Sequence, residues 1–344
     1  MSATRVNLIG KSNGVGLSRD LDLLADAMQR CDCEVTTRLI DAGDAKRRRS
    51  LLTQLGAQAG RALTKAARPP YDINLMLEHV WLQYLGEARY NVAIPNPEWF
   101  DRHDCRFVGA LDGVWAKTAD TQATFAALGC ATQLIGFDSE DRLDASVAKQ
   151  RTFFHLAGKS TMKGTEDLLD VWRQHPEWPR LVVVRHDKTG QAGGGIAGNV
   201  EERVGYFADS ELRRMQNESM FHLCLSRTEG WGHYMVEAMS AGALTIATDA
   251  PPMNELVTAA RGLLVPYTRS GMQRLAKTYY FDAVGLAAAV ERACAMSDAE
   301  IAARTANARR WFVENKRGFA PRVEAAVSSL LQPQLVPSER VACR

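Results

Sequence analysis

The sequence predicts an α/β protein made of two Rossmann-like domains, each built on a parallel sheet. Short apolar runs alternate with amphipathic helical stretches along the whole chain, which is typical of parallel strands connected by helices. The 344 residues are enough for two domains that each bury a core. A polar, acidic segment over 138–144 separates the two halves and is predicted to link them.

The apolar runs give the positions of the strands, and the amphipathic stretches give those of the helices. In the first half, strands are predicted over 6–9, 34–39, 73–77, 91–94, 113–117 and 132–135, and helices over 18–30 and 120–128. In the second half, strands are predicted over 153–157, 181–184, 203–206, 221–226 and 244–248, and helices over 165–174, 210–217 and 234–241.

We predict an N-terminal domain over 1–140 and a C-terminal domain over 150–310. A helix over 298–314 is expected to end before Gly318 and Pro321, because proline lacks the amide hydrogen that a helix interior uses. A further helix within 311–331 is expected to pack back on the N-terminal domain, followed by a frayed tail over 332–344. Two open sheets joined in this way leave a cleft, and such sheets bind ligands at the carboxyl ends of their strands.

Composition and charge exclude several classes of protein. The formal net charge is +2, so no bulk electrostatic argument favours nucleic acid or membranes. We expect no secretory leader and no transmembrane segment, and therefore a cytoplasmic protein. The seven cysteines are scattered, without the spacing of a zinc site or a redox pair, and are expected to be reduced.

Two lysines, Lys159 and Lys163, lie in the loop between the strand over 153–157 and the next helix. Cations at the carboxyl end of a strand can hold a diphosphate and stabilise the charge that it gains as it leaves. Taken alone, however, the pair is more typical of two solvated surface lysines.

A loop that carries Glu229 joins the strand over 221–226 to the helix over 234–241. Gly230 and Gly232 let the backbone approach a ligand closely, and the free amides at the helix start can bind an anion. Glu237 lies one turn into the helix, where its carboxylate can accept hydrogen bonds from two sugar hydroxyls. A first-turn acid favoured by the helix dipole explains Glu237 equally well.

These motifs together resemble the donor domain of family-4 retaining glycosyltransferases. The similarity runs in order from about residue 153 to 265, through the segments at 158–164, 229–237, 238–242, 254–257 and 262–265. That family has the GT-B fold, in which two Rossmann-like domains face each other across a cleft. The resemblance implies an enzyme that takes a sugar from a nucleotide diphosphate with retention of anomeric configuration, and that uses no metal and no cofactor.

The resemblance also implies roles for the matching residues. Lys159 and Lys163 would hold the donor diphosphate, Glu229 would contact the transferred sugar, and Glu237 would bind the ribose hydroxyls. Lys159 stands where many members have arginine, so bidentate phosphate binding is lost there. The departing phosphate would itself take the acceptor proton, so no dedicated base is assigned. The other donor-binding residues are expected to be Gly14, Gly16, Arg185, Gly205, Tyr206, Gly230, Trp231, Gly232, His233 and Tyr234.

The loop over 10–18 nearly matches a phosphate-binding P-loop, but Arg5 occupies the place of its first glycine, so a Walker nucleotidase is not expected. The turn around Gly14 and Gly16 instead resembles the family's first loop, which faces the donor diphosphate; a plain strand-to-helix turn is the alternative. Asp20 and Asp22 imitate a metal-binding pair, but they fall within an amphipathic helix and are predicted to be solvated.

Residues at the carboxyl ends of two first-half strands are predicted to bind the acceptor. His79 follows one strand, and Asn96, Glu98 and Trp99 follow the next. A packed histidine and a rigid structural turn are the alternatives. A basic amphipathic helix over 46–68, which contains no acid, fits an anionic surface such as lipid or a phosphate backbone. A solvated basic face on a packed helix is the alternative there.

We therefore predict a retaining glycosyltransferase that uses a nucleotide-sugar donor and a hydroxyl acceptor on a glycan, a lipid-linked sugar or a modified nucleic-acid base. One alternative is another GT-B enzyme acting on nucleotide sugars, such as an epimerase. The other is a non-catalytic module that binds a nucleotide sugar or nucleic acid, against which Glu229, Glu237 and the two lysines argue.

Overall fold

The computed structural model describes residues 3–12, 14, 16–47, 50, 53, 56, 69–187, 189, 190 and 195–332. Within these residues the chain folds into two sheets of mostly parallel strands, one in each half, with helices packed around them. No described helix combines the length and the hydrophobicity that a bilayer span requires. The described cysteines are free thiols.

The first half forms a sheet with the strand order β2-β1-β3-β4-β5-β6, in which neighbouring strands are parallel. β1, β3 and β4 are buried over most of their length because their sequences are mainly apolar. Each also buries an asparagine, and Asn74 bonds both Asn7, at 2.9 Å, and Asn91, at 2.8 Å. The strands are β1 (Thr4–Gly10), β2 (Cys33–Leu39), β3 (Tyr71–Leu77), β4 (Ala88–Ile94), β5 (Gly113–Ala116) and β6 (Thr132–Leu134). The helices are α1 (Gly16–Arg30), α2 (Ala42–Arg47), α3 (Arg102–Cys105) and α4 (Ala119–Ala127).

The second half forms a sheet with the order β13-β12-β11-β7-β8-β10-β9, parallel except for the β9–β10 pair, and a separate antiparallel hairpin of β14 and β15. The strands are β7 (Gln150–Gly158), β8 (Leu181–Arg185), β9 (Gly195–Ala197), β10 (Val200–Val204), β11 (Ser219–Cys224), β12 (Leu244–Thr248), β13 (Gly262–Val265), β14 (Tyr267–Gln273) and β15 (Ala276–Phe281). The helices are α5 (Thr165–Arg173), α6 (Asp209–Glu218), α7 (His233–Ser240), α8 (Met253–Leu256), α9 (Ala283–Ala295) and α10 (Asp298–Leu331).

The predicted strands and helices each overlap an observed element, so the α/β alternation is confirmed. The strand predicted over 203–206 ends earlier, since β10 spans Val200–Val204. The pattern did not reveal β9, β13 or the β14–β15 hairpin. The strands of the hairpin flank the tight turn of residues 274 and 275. β14 is exposed over most of its length and mostly polar, which gives a weak apolar signal, whereas β15 is mostly buried.

α10 is one continuous helix of 34 residues, so the prediction of two helices broken near Gly318 and Pro321 is wrong. A proline inside a helix costs about 3 kcal/mol. Burial of Phe312, Phe319 and Val323 offsets this cost, because each such side chain contributes about 2 kcal/mol. α10 packs against α1 of the first half and α7 of the second, so it joins both halves.

The predicted linker is anchored to the second half. The Arg142 side chain is 2% exposed; its Nε donates to Gln216 Oε1 at 2.9 Å and its Nη1 to Asp209 Oδ1 at 2.6 Å. The Arg142 amide also donates to Ser240 Oγ at 2.9 Å. These bonds attach the segment to α6 and α7, so the connection between the halves is held in one conformation.

Candidate functional site

The donor-side residues gather where β11 ends and α7 begins. Ser226 Oγ donates to Glu229 Oε1 at 2.5 Å and lies 2.5 Å from the Tyr234 hydroxyl. The Met235 amide donates to Gly232 O at 2.9 Å, so the amides without an acceptor within α7 are those of its first two residues, His233 and Tyr234. A carboxylate, two hydroxyls and a helix N-terminus therefore share one end of the sheet.

Lys163 joins this cluster from the neighbouring loop. Its Nζ lies 3.5 Å from the centroid of the Tyr234 ring, and the Arg227 amide donates to Met162 O at 2.7 Å, which holds the two loops together. Burial lowers the pKa of Lys163, while the charges of Glu229 and other acidic groups act in the opposite direction. The structure thus brings Lys163, Glu229 and Tyr234 into one place. Lys159 follows Gly158 in the same loop and is exposed.

Two glycines of the loop before α7 are required by its geometry. A Cβ on Gly230 would lie 2.1 Å from Asn96 Oδ1 of the first half, so only glycine permits this approach. Gly232 has φ +88 at the start of α7, a conformation that glycine adopts without strain. The loop is therefore pressed against the loop after β4, across the junction of the two halves.

Glu237 is 3% exposed and forms an ion pair with Arg19 of α1. Gln216 Nε2 lies 3.5 Å from Glu237 Oε2, and Arg19 Nε lies 3.4 Å from Glu140 Oε1. The carboxylate that is predicted to bind ribose thus has a cationic partner on the opposite half. Its role as a ribose ligand stays a prediction.

The prediction that Asp20 is a solvated surface residue is wrong. Asp20 is 3% exposed, and its carboxylate accepts from Lys117 Nζ at 2.5 Å and lies 2.6 Å from His233 Nε2. Burial opposes the ionisation of Asp20, but Lys117 and His233 outweigh it and keep its pKa below the ordinary value. Lys117 Nζ also donates to Asn96 Oδ1 at 3.1 Å, which extends the network to the loop after β4. Helical periodicity could not show this, because the partners lie 97 and 213 residues away.

A second contact across the junction involves Glu255 of α8. Its two carboxylate oxygens accept from the amides of Ala119 at 2.7 Å and Asp120 at 2.9 Å, at the start of α4. An anion at a helix N-terminus is favoured by the free amides and the helix dipole. The segment at 254–257, which the sequence flagged as part of a motif, therefore caps a helix of the other half.

Several predicted donor residues are engaged within the protein. Trp231 is 5% exposed and its Nε1 donates to Ser139 Oγ at 3.0 Å, while His233 Nδ1 lies 2.8 Å from the same oxygen. Arg185 is 7% exposed and pairs with Glu166 and, at 3.2 Å, with Glu202. Their side chains stabilise the walls of the site.

The remaining predicted donor residues belong to other elements. Gly205 follows β10, and the neighbouring Tyr206 is 91% exposed. The Gly14 amide donates to Ser18 Oγ at 2.8 Å, and Gly16 begins α1. Contacts of these residues with the base or the diphosphate stay predictions.

The predicted acceptor residues adjoin a pocket of about 490 Å³ at the carboxyl ends of β1, β3 and β4. His79 is buried with its Nδ1 2.8 Å from Asp104 Oδ2, and Trp99 is 40% exposed. Both side chains line the pocket, whereas Asn96 belongs to the Asp20 network. The pocket is lined by Lys11, Ala45, Lys46, Glu78, His79, Trp81, Trp99, Asp101 and Arg274.

Glu98 is a buried acid beside this pocket. It is 7% exposed, and its Oε2 has no hydrogen-bond partner among the residues that the structure describes. Burial raises the pKa of Glu98 to about 8, and the charges of Glu229 and Glu78 act in the same direction. Glu98 therefore keeps its proton near neutral pH.

Most of the basic segment over 46–68 lies outside the described residues, and so do 13 and 15 of the first loop. Lys46 is described and lines the pocket. Over the described ranges, no group of three or more histidine, cysteine or acidic side chains has the arrangement of a metal site.

Comparison with solved structures gives the fold. Anabaena Alr3699/HepE, in a crystal structure with UDP and glucose, matches with a TM-score of 0.65 and 16% identity over 95% of this chain and 100% of that chain. Sucrose-phosphate synthase from Thermosynechococcus elongatus matches with a TM-score of 0.68 and 15% identity over 95% and 99%. Residues 199–277 match the family model of glycosyl transferases group 1. The chain has the GT-B fold, and its residues 199–277 are similar to glycosyl transferases group 1.

A curated relative adds a comparison of sequence. The GDP-mannose:cellobiosyl-diphosphopolyprenol alpha-mannosyltransferase of Xanthomonas campestris is 28% identical over 130 residues, which are 34% of this chain and 34% of that protein. The chain therefore spans about a third of the length of this relative. The predicted GT-B fold is confirmed, while the family-4 assignment stays a prediction.

The raised pKa of Glu98 predicts a specific dependence of stability on pH. Between about pH 5 and pH 8 the folded protein holds a proton on Glu98 that the unfolded chain has lost, so stability falls as pH rises through this window. The side chain introduced by Glu98→Gln cannot ionise, so the stability of this variant should fall less between pH 5 and pH 8 than that of the parent. The difference in thermal midpoint, variant minus parent, should therefore increase from pH 5 to pH 8. Glu314→Gln, at an exposed position of α10, is the control; parallel profiles for parent and Glu98→Gln would contradict the assignment.

Proposed function

We propose that this protein is a retaining, metal-independent glycosyltransferase that moves a sugar from a nucleoside diphosphate donor to a hydroxyl group. The acceptor is a glycan, a lipid-linked sugar or a modified nucleic-acid base. The cytoplasmic location and the contact of the 46–68 segment with an anionic surface belong to the same proposal. The GT-B fold and the similarity of residues 199–277 to glycosyl transferases group 1 support a nucleotide-sugar enzyme.

The observation that carries the proposal is the convergence of Lys163, Glu229 and the N-terminus of α7 at one end of the second sheet. Lys163 lies over the Tyr234 ring, and Tyr234 is linked through Ser226 to Glu229. A cation and free helix amides suit a diphosphate, and a neighbouring carboxylate suits the hydroxyls of its sugar. These are the two chemical parts of a nucleotide-sugar donor.

In the proposed reaction, the bond from the sugar C1 to the diphosphate oxygen breaks as the acceptor oxygen bonds to C1 on the same face. The acceptor proton passes to the departing diphosphate oxygen, so charge and protons balance without a protein base. Lys163 and the helix amides stabilise the negative charge that develops on the leaving group. Lys159, exposed in the adjoining loop, is assigned to the same diphosphate.

Two similar proteins indicate which donor nucleotides to consider. The Anabaena structure contains UDP and glucose, and the Xanthomonas campestris enzyme is described as using GDP-mannose. The base side of this site has Arg185 held by Glu166 and Glu202 and the exposed Tyr206. UDP and GDP sugars are therefore the first donors to test.

Loss of the Lys163 charge should slow transfer. Lys163→Ala removes one preorganised charge contact to the leaving group, so kcat should fall about a hundredfold, equivalent to about 3 kcal/mol. Release of UDP or GDP with each donor and a panel of acceptors measures the rate. Arg30→Ala removes an exposed cation at the end of α1 and should leave the rate within twofold. Parental turnover by Lys163→Ala would exclude this lysine from the reaction.

Removal of divalent metal should have little effect. The site presents a lysine and helix amides in place of a metal bound by acids, so EDTA should leave the rate of transfer unchanged within about twofold. The measurement is the initial rate with EDTA against the rate with added magnesium. Strict dependence of the chemical step on magnesium would reject the metal-independent mechanism.

The stereochemistry of the product tests retention directly. An α-linked donor should give an α-linked product, because attack and departure occur on the same face of the sugar. Proton NMR of the purified product distinguishes the anomers through the chemical shift and coupling of the anomeric proton. A β-linked product would show inversion and would require a general base that the present assignment lacks.

A further inference from the structure

The turn of the β14–β15 hairpin crosses from the second half to the first. The Leu275 amide donates to Pro97 O at 3.3 Å, and the Leu275 side chain packs against the apolar cluster around Met76 and Trp81. Arg274 Nη1 donates to the carbonyl of Trp99, and its guanidinium carbon lies 5.7 Å from the Trp99 ring centroid. The hairpin therefore supplies one wall of the pocket that the first half forms at the ends of β1, β3 and β4.

Three cations line this pocket and come from three separate parts of the chain. They are Lys11 after β1, Lys46 in α2 and Arg274 in the hairpin turn. In the described part of the chain, no carboxylate lies within 4.0 Å of any of the three charges. None of the three therefore forms an ion pair with an acid in this part of the chain.

The acids of the pocket are already engaged. Asp101 caps α3 by accepting from the Asp104 amide at 3.0 Å, and Glu78 Oε2 lies 3.5 Å from His79 Nε2. His79 is in turn held by Asp104. Neither carboxylate pairs with Lys11, Lys46 or Arg274, so three cations face two acids; this excess of positive charge suits an anionic group.

One tryptophan gives the pocket an apolar surface beside the cations. Trp99 is 40% exposed next to Arg274, whereas Trp81 is 1% exposed and forms the floor, with Lys11 Nζ 5.5 Å from its ring. A flat indole surface packs well against the apolar face of a sugar ring. The combination of the Trp99 ring and the cations fits a sugar that carries a negative charge.

We propose that this pocket binds an acceptor sugar bearing a phosphate or diphosphate, and that Arg274 of the hairpin, with Lys11 and Lys46, holds that anionic group. The inference rests on the proposed transferase function and narrows its acceptor. A volume of about 490 Å³ accommodates one sugar phosphate, whereas a nucleic-acid strand requires an extended groove. The second half thereby contributes to the acceptor site as well as to the donor site.

The test compares acceptors that differ only in the anionic group. Glucose, glucose 1-phosphate, glucose 6-phosphate and a glucosyl diphosphate on a short prenyl chain are assayed with the best UDP or GDP sugar. At least one phosphorylated acceptor should be used about tenfold or more better than glucose in kcat/KM. Activity with glucose phosphates identifies a soluble source of the phosphate, and activity confined to the prenyl compound identifies a lipid carrier.

Arg274→Ala should reduce this preference about 10- to 100-fold, the usual effect of losing one charged hydrogen bond. The control is Arg269→Ala on the same hairpin, whose guanidinium stacks on the Tyr280 ring at 3.5 Å and does not line the pocket. Lys11→Met, on the opposite wall, should also lower the preference, and it remains informative if the hairpin variant fails to fold.

Equal use of glucose and all of its phosphorylated forms would overturn the inference, and so would an unchanged preference in both Arg274→Ala and Lys11→Met. Glycosylation of an oligonucleotide with no activity on sugars would overturn it as well. The proposed function is tested separately, through stabilisation of the protein by UDP or GDP in a thermal-shift assay. Binding of a nucleoside diphosphate together with no phosphate preference would reject this inference alone.

Discussion

One buried carboxylate, Asp20, fixes the position of the two halves of the protein relative to each other. Its oxygens are shared by Lys117 of the first half and His233 at the start of α7, at 2.5 and 2.6 Å. A buried carboxylate and ammonium are each costly to leave unpaired, so the three groups stabilise one relative placement of the sheets. Because Lys117 also bonds Asn96, and Asn96 contacts Gly230, this interaction positions the acceptor-side loop against the donor-side loop.

The same junction governs the charge of the donor side. Glu237 faces Arg19 across it, and Glu255 reaches the amides at the start of α4. In the proposed function, ribose hydroxyls share the Glu237 carboxylate with Arg19, so we expect donor affinity to depend on the placement of α1 as well as on the second half. Lys163 stays within the second half, where burial and the Tyr234 ring hold it. Charged side chains from both halves therefore determine the electrostatic potential at the junction.

Local pattern predicted most of the elements, but not β9, β13, the β14–β15 hairpin or α9, and distant contacts decided the chemistry of the junction. Apolar runs located β1, β3 and β4, and the segments after β7 and β11 pointed to Lys163 and Glu229, which the fold does bring together. Periodicity predicted that Asp20 is solvated, because it cannot show partners that are remote in sequence. It also could not show that Arg274 reaches the first half, because that contact depends on how the hairpin packs. The predicted helix break near Pro321 is wrong, because burial of the flanking side chains stabilises the helix by more than the missing amide hydrogen bond costs.

The unbroken course of α10 has a consequence for motion between the halves. The helix rests on α1 at one side of the cleft and on α7 at the other, and the segment over 138–144 is bonded to α6 and α7. Both connections are held by contacts to the halves, so a movement that separates the halves requires α10 to slide along α1 or to bend. At Pro321 the carbonyl four residues earlier lacks its helical donor, but Arg322 bonds Asn315 Oδ1 at 2.8 Å across the proline. Asn315 bonds Phe137 O at 2.7 Å and Arg322 bonds Ile135 O at 2.6 Å, so the helix on both sides of the proline moves with the first half.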